Sequence, residues 1–184
     1  MLRLLQLDEL EGLLLEAADV LDRFHARDPG FETLVDGWLV RVEEALRNNR
    51  LPLSSRVATT RAELTAARSS RRGRDGAPAT RVRRSDRQAR AVAAVKRVVE
   101  ELDAELSGPR RRFGDADDVA RNVLAVGSAT GVLGPSAGGG SSLEALRALR
   151  DDPRTAGGVV QLHGLVGHQD SVMVVGRRLV DLVP

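Results

Sequence analysis

Apolar residues in the first half of the chain recur every three or four positions, which is the period of an amphipathic helix. The first such run has its apolar positions at Leu7, Leu10, Leu14, Ala17, Leu21 and Phe24. A Pro-Gly pair at residues 29–30 interrupts this run, and a second periodic run follows it directly. The pattern therefore predicts helices over residues 2–27 and 31–49.

Two further helices are predicted over residues 53–69 and 85–107. The stripe of the third helix is thinner and more polar than that of the others. The fourth begins with a capping box, in which the side chains of Ser85 and Gln88 each bind a free backbone N–H of the first turn. A Ser-Gly-Pro sequence then favours the end of this helix at residue 107.

The pattern changes beyond residue 108, where the chain becomes rich in glycine. A short helix is predicted after Asp115, and a second capping box, formed by Ser141 and Glu144, opens another short helix that ends before Pro153. Residues 159–166 and 172–175 are rich in β-branched residues. They fit either the strands of a β-hairpin with its loop at residues 167–170 or two short buried helices, and their composition favours the strands.

Together these elements predict a mainly α protein. Residues 1–107 are expected to form an antiparallel helical bundle that includes an arginine-rich linker over residues 69–84. Residues 108–184 are expected to form a Gly-rich C-terminal region of short helices, with the β-hairpin, packed on the bundle.

The composition limits how the core can be built and which kinds of chemical site are possible. Only 2% of the residues are aromatic, so the core has to be built from Leu, Val and Ala, which suits helix packing. The absence of cysteine excludes disulfides, thiol catalysis and Cys-ligated zinc. The sequence has neither a signal-peptide pattern at its start nor an apolar run of membrane-spanning length. We therefore expect a cytoplasmic protein that does not bind membranes.

Charge is distributed unevenly, although the formal net charge is only +2. Residues 1–50 carry eleven acids and six arginines, whereas residues 68–90 carry nine arginines and two aspartates. The guanidinium groups of this second segment suit phosphate or nucleic-acid binding. The candidate residues, with three more arginines further along the chain, are Arg71, Arg72, Arg74, Arg81, Arg83, Arg84, Arg110, Arg111 and Arg112.

The arginine-rich segment also has a simpler interpretation as a solvated linker that docks on the acidic N-terminal helices. The segment contains no aromatic residue for base stacking, and no helix-turn-helix or zinc motif accompanies it. The simpler interpretation is therefore preferred.

Residues 123–131 resemble a strand that runs into an anion-binding turn, and the Gly-rich stretch that begins at Gly127 extends to residue 140. Its glycines are spaced as G-x-x-x-G-x-x-G, which matches neither the dinucleotide-binding fingerprint nor a P-loop. A plain loop, or close helix packing through Gly127 and Gly131, explains the same residues.

His163, His168, Asp170 and Ser171 lie close together in the sequence and could supply a nucleophile, a base and an orienting acid, or two metal ligands. In a hairpin their side chains would alternate between two faces and would not converge. The carboxylate pairs on the helices also diverge, because adjacent helical residues point about 100° apart. No catalytic residue, metal site or cofactor is assigned.

The sequence thus predicts a non-enzymatic helical protein that binds other proteins, or copies of itself, through a helical surface. The first helix is the preferred self-association face. One alternative is a nucleic-acid-binding protein that uses residues 68–90 and 110–112. The other is an enzyme or nucleotide binder that uses residues 127–140 with His163 or His168.

Overall fold

The structure, a computed structural model, describes residues 2–69, 84–134 and 141–181. Helices make up the regular structure of these residues, and no strand occurs among them. The helices are α1 (Leu4–His25), α2 (Phe31–Asn48), α3 (Leu53–Ser69), α4 (Arg84–Ala129), α5 (Ser142–Asp151) and α6 (Ala156–Asp181). The prediction of a mainly α protein is confirmed, whereas the antiparallel bundle stays a prediction.

The chain divides into two compact units. One comprises Leu5–Leu106, and the other combines Met1–Leu4 with Ser107–Pro184. Helix α4 contributes its first half to the first unit and its second half to the other. We call them the N-terminal and the C-terminal unit. The predicted packing of residues 108–184 on the bundle stays a prediction.

The core of the N-terminal unit is built around α2. Trp38 is fully buried in this helix, and its indole N–H donates a hydrogen bond of 2.9 Å to the Leu13 carbonyl of α1. This bond removes the cost of burying an unpaired N–H. Four further residues of α2 recur at helical spacing and are also fully buried: Val35, Leu39, Val42 and Leu46.

Helix α1 is turned slightly from the predicted orientation. Its buried positions are Leu7, Leu10, Leu13, Ala17 and Val20. The predicted positions Leu14, Leu21 and Phe24 are only half-buried. The apolar stripe of α1 is wider than its contact with the core, so the spacing alone left the rotation of the helix undetermined.

Helix α4 continues through Pro109, so the predicted end at residue 107 is wrong. An interior proline costs about 3 kcal/mol because it removes a backbone hydrogen bond. Buried Leu102 and Leu106 precede it, and buried Phe113 and Ala116 follow it at helical spacing. Burial on both sides offsets the local cost. The predicted capping box is also absent, since Ser85 lies inside the helix and donates to Asp86.

The preferred β-hairpin is not found, because its residues form α6. Buried Val159, Leu162 and Val166 follow helical spacing, so the alternative of two short helices is closer to the structure. Gly167 separates them, with φ 80° and ψ 166°. The second capping box does form, with the Ser141 side chain accepting from the Glu144 N–H and the Glu144 carboxylate accepting from the Ser141 N–H.

Each helix in the described ranges is too short or too polar to cross a lipid bilayer.

Small residues allow close helix packing in the C-terminal unit. A Cβ added to Gly158 of α6 would overlap Val123 Cγ2 of α4, and Val has little rotamer freedom in a helix to move away. We expect Gly158→Ala to lower the free energy of unfolding by about 1–3 kcal/mol, as overpacking does. Denaturant unfolding followed by circular dichroism measures this change.

Gly164→Ala is the matched control, because this glycine lies on the same helix with nothing within 4 Å of an added Cβ. It should raise stability by about 0.5–1 kcal/mol, since alanine favours the helix. Equal effects of the two substitutions would contradict the packing of α6 on α4.

Candidate functional site

The arginine-rich segment is only partly described. Arg71, Arg72, Arg74, Arg81 and Arg83 lie outside the described residues, and Arg84 is exposed at the start of α4. At the flanks of the segment, Arg68 and Arg87 both lie within ion-pair distance of the Glu32 carboxylate on α2. These two flanking arginines therefore neutralise an acidic helix of their own unit.

The second group of candidate arginines points in different directions, because Arg110, Arg111 and Arg112 are consecutive residues of α4. The Arg112 guanidinium donates a 3.0 Å hydrogen bond to the Leu2 carbonyl and lies 5.2 Å from the centre of the Phe113 ring. Arg112 thus links residue 2 to α4 through a hydrogen bond. Of the three arginines, Arg111 is the exposed one.

The Gly-rich stretch does not begin with a strand, because residues 123–126 belong to α4. Gly131 has φ 73°, and its N–H donates to the Ser128 carbonyl, which is how glycine ends many helices. The end of α4 carries the negative pole of the helix dipole and disfavours an anion. Gly138, Gly139 and Gly140 lie outside the described residues.

The histidine candidates separate into two sets. His168 Nδ1 and His163 Nε2 lie 3.3 Å apart. Asp170 is instead buried beside Arg3, at 3.5 Å, and the Ser171 hydroxyl donates a 2.6 Å hydrogen bond to the Gly167 carbonyl. A nucleophile, base and acid are therefore not brought together.

The surroundings of His163 favour its neutral imidazole. Burial lowers the pKa of His163, and the neighbouring His168 and Arg150 lower it further. Among the described residues, no group of three or more His, Asp or Glu side chains is placed to hold a metal ion.

Carboxylates at two places are held by arginines. Glu43 is buried on α2 and pairs with both Arg47 and Arg61. Asp117 of α4 pairs with Arg178 of α6, and hydrogen bonding to Arg178 lowers the pKa of Asp117. Both groups are occupied by structural ion pairs and are poor candidates for acid–base chemistry.

The N-terminal unit has a surface groove between α3 and α4. It encloses about 360 Å³. Small apolar side chains line it, with charged ones beside them: Leu64, Ala67, Ala93 and Ala94, with Glu63, Arg90 and Arg97. The residues of α3 that recur at helical spacing are covered only in the first half of the helix. Leu53, Val57 and Thr60 are buried, whereas Leu64 and Ala67 are not.

The exposed side of α1 is acidic and partly apolar. The helix carries six acids and one arginine. Leu15 is 76% exposed, and Ala18 beside it is also exposed. Glu11 and Asp19 lie one turn before and after Leu15, so they flank it on the helix surface. We refer to Glu11, Leu15, Ala18 and Asp19 as the α1 patch.

Comparison of the chain with protein-family models, curated proteins and solved structures finds no match.

A comparison of two stability measurements tests the structural role of Arg112. Arg112→Ala should lower the free energy of unfolding by about 1–2 kcal/mol, because it removes a hydrogen bond from a charged donor and a contact with Phe113. The neighbouring Arg111→Ala should change stability by less than about 0.5 kcal/mol, because Arg111 is exposed. Chemical denaturation of both variants gives the comparison. Equal stability of the two would contradict a structural role for Arg112.

The ion pair of Asp117 predicts a pH dependence. Its pKa is lower in the folded protein than in the unfolded chain, so its stabilisation is complete at neutral pH and is lost as the pH falls below about 3.9. Asp117→Asn should be less stable than the wild type at pH 7, and this difference should shrink in acid. Urea unfolding over a pH series measures it, with Asp118→Asn as the more exposed control. A difference independent of pH would argue against the ionised pair.

Proposed function

We propose that the protein is a non-enzymatic helical interaction module that self-associates, with the α1 patch of one copy bound in the α3–α4 groove of the next. The observation that supports this proposal is the complementarity of the two surfaces within one chain. One is an acidic helix with an exposed leucine, and the other is an apolar groove with arginines at its edge.

The groove has the properties of a helix-binding surface. Its floor consists of small apolar side chains, so an approaching helix could lie close to α3 and α4. Thr60 to Ala67 on α3, and Arg90 to Arg97 on α4, each span about 10 Å. This length accommodates about two turns of a bound helix.

The α1 patch matches the groove in length and charge. Glu11 to Asp19 spans about 12 Å along the helix. Leu15 and Ala18 would lie on the apolar floor, and the flanking carboxylates would face Arg90 and Arg97. Burying Leu15 would contribute about 1.5–3 kcal/mol. The charges at the edge would speed association and make it sensitive to salt.

Contact between two different surfaces is head-to-tail, so repeated association gives a closed ring or an open chain of copies. A second copy is favoured over an unrelated protein because this chain itself carries both complementary surfaces. Nucleic acid fits the groove less well, since phosphates gain nothing from an apolar floor and Glu63 lies beside it.

Sedimentation velocity and light scattering over a range of protein concentrations, at low and high salt, test the proposal. The wild type should associate with rising concentration, and more weakly at high salt. Leu15→Ser should weaken association at least about tenfold, from the lost burial. The double variant Arg90→Glu/Arg97→Glu should weaken it as well. Val180→Ser, at a position that is 73% exposed on α6, is the matched control and should behave like the wild type.

Mixing the two defective proteins gives a sharper result. Leu15→Ser keeps its groove, and the double arginine variant keeps its α1 patch, so the mixture should form a complex with one copy of each and nothing larger. A wild type that stays monomeric at every concentration would overturn the proposal. The same runs with a mixed-sequence DNA test the nucleic-acid alternative, which predicts a complex at low salt only.

A further inference from the structure

The two histidines of α6 are brought together by a break in the helix. Residues five apart on an uninterrupted helix point roughly 140° apart around the axis, because each residue turns about 100°. Gly167 interrupts α6 with φ 80° and ψ 166°, a conformation that is accessible almost only to glycine. As a result His163 and His168, on either side of the break, have their ring nitrogens 3.3 Å apart.

This separation allows a hydrogen bond between the two rings, and it also suits a shared metal ion. Two imidazole nitrogens on a tetrahedral ion lie about 3.3–3.4 Å apart, since each Zn–N bond is about 2.0–2.1 Å long. The two atoms concerned, His163 Nε2 and His168 Nδ1, are both positions through which histidine binds metals.

We propose that His163 and His168 form a two-imidazole binding site for a divalent transition-metal ion, with water completing the coordination. His168 is exposed and His163 half-buried, so an ion can enter from solvent. No third ligand from the described residues joins the pair, which favours Cu²⁺ and Zn²⁺ over cations that need several carboxylate oxygens.

The composition makes the site easy to test. The chain has no cysteine and only three histidines, the third being His25 on α1. Imidazole-dependent binding can therefore be assigned by three single substitutions. His168→Ala removes an exposed side chain and leaves the core unchanged, which far-UV circular dichroism verifies.

The experiment is a titration of the protein with Cu²⁺ and with Zn²⁺. Calorimetry measures the binding of each ion, and electron paramagnetic resonance identifies the ligands of Cu²⁺. We expect one ion per chain and, for Cu²⁺, hyperfine splitting from nitrogen ligands. His163→Ala and His168→Ala should each weaken binding at least about tenfold, because a single imidazole loses the advantage of chelation. His25→Ala should bind like the wild type.

A fourth variant examines the glycine itself. Gly167→Ala meets no neighbouring atom within 4 Å, so its effect acts through the backbone alone. We expect it to weaken metal binding although both histidines remain. Undiminished binding by the double variant His163→Ala/His168→Ala, or no imidazole-dependent binding by the wild type, would overturn the proposal.

Discussion

Short aliphatic side chains carry almost all of the packing in this protein, because aromatic residues make up only 2% of the sequence. Helices whose contact residues are Leu, Val, Ala and Gly can approach closely, as α6 does to α4 at Gly158. The same small side chains also leave space unfilled between neighbouring helices. Ala67, Ala93 and Ala94 line the α3–α4 groove in this way. Close packing and an open surface therefore have the same physical origin.

The sequence predicts best where local signals and tertiary packing agree. The bounds of α2 and α5 follow from spacing and capping residues alone. The signals fail where burial outweighs a local preference. Pro109 disfavours a helix at its own position, yet apolar residues on both sides of it remain buried in one continuous helix. In α6, valine-rich runs favour strands by composition, and only their helical spacing indicated the observed structure.

The candidate sites show the same limit. The Leu-rich sequence of α1 predicts a self-association face on this helix but not which of its residues are exposed. The α3–α4 groove cannot be predicted from spacing, because a groove depends on the separation of two helices. His163 and His168 are close in the sequence, but alternation along a hairpin would place their side chains on different faces. Gly167, with its positive φ, instead turns one imidazole back toward the other. The spacing of apolar residues in the sequence gives no sign of such a conformation.

The bond from Arg112 to the Leu2 carbonyl joins residues that are 110 positions apart. Arg3 and Asp170 are joined across 167 positions. Residues 2–4 therefore belong to the C-terminal unit, although in the sequence they adjoin the N-terminal one. Each of the two pairs closes a long loop, so the C-terminal unit gains these contacts through a long-range closure that local helix formation does not provide.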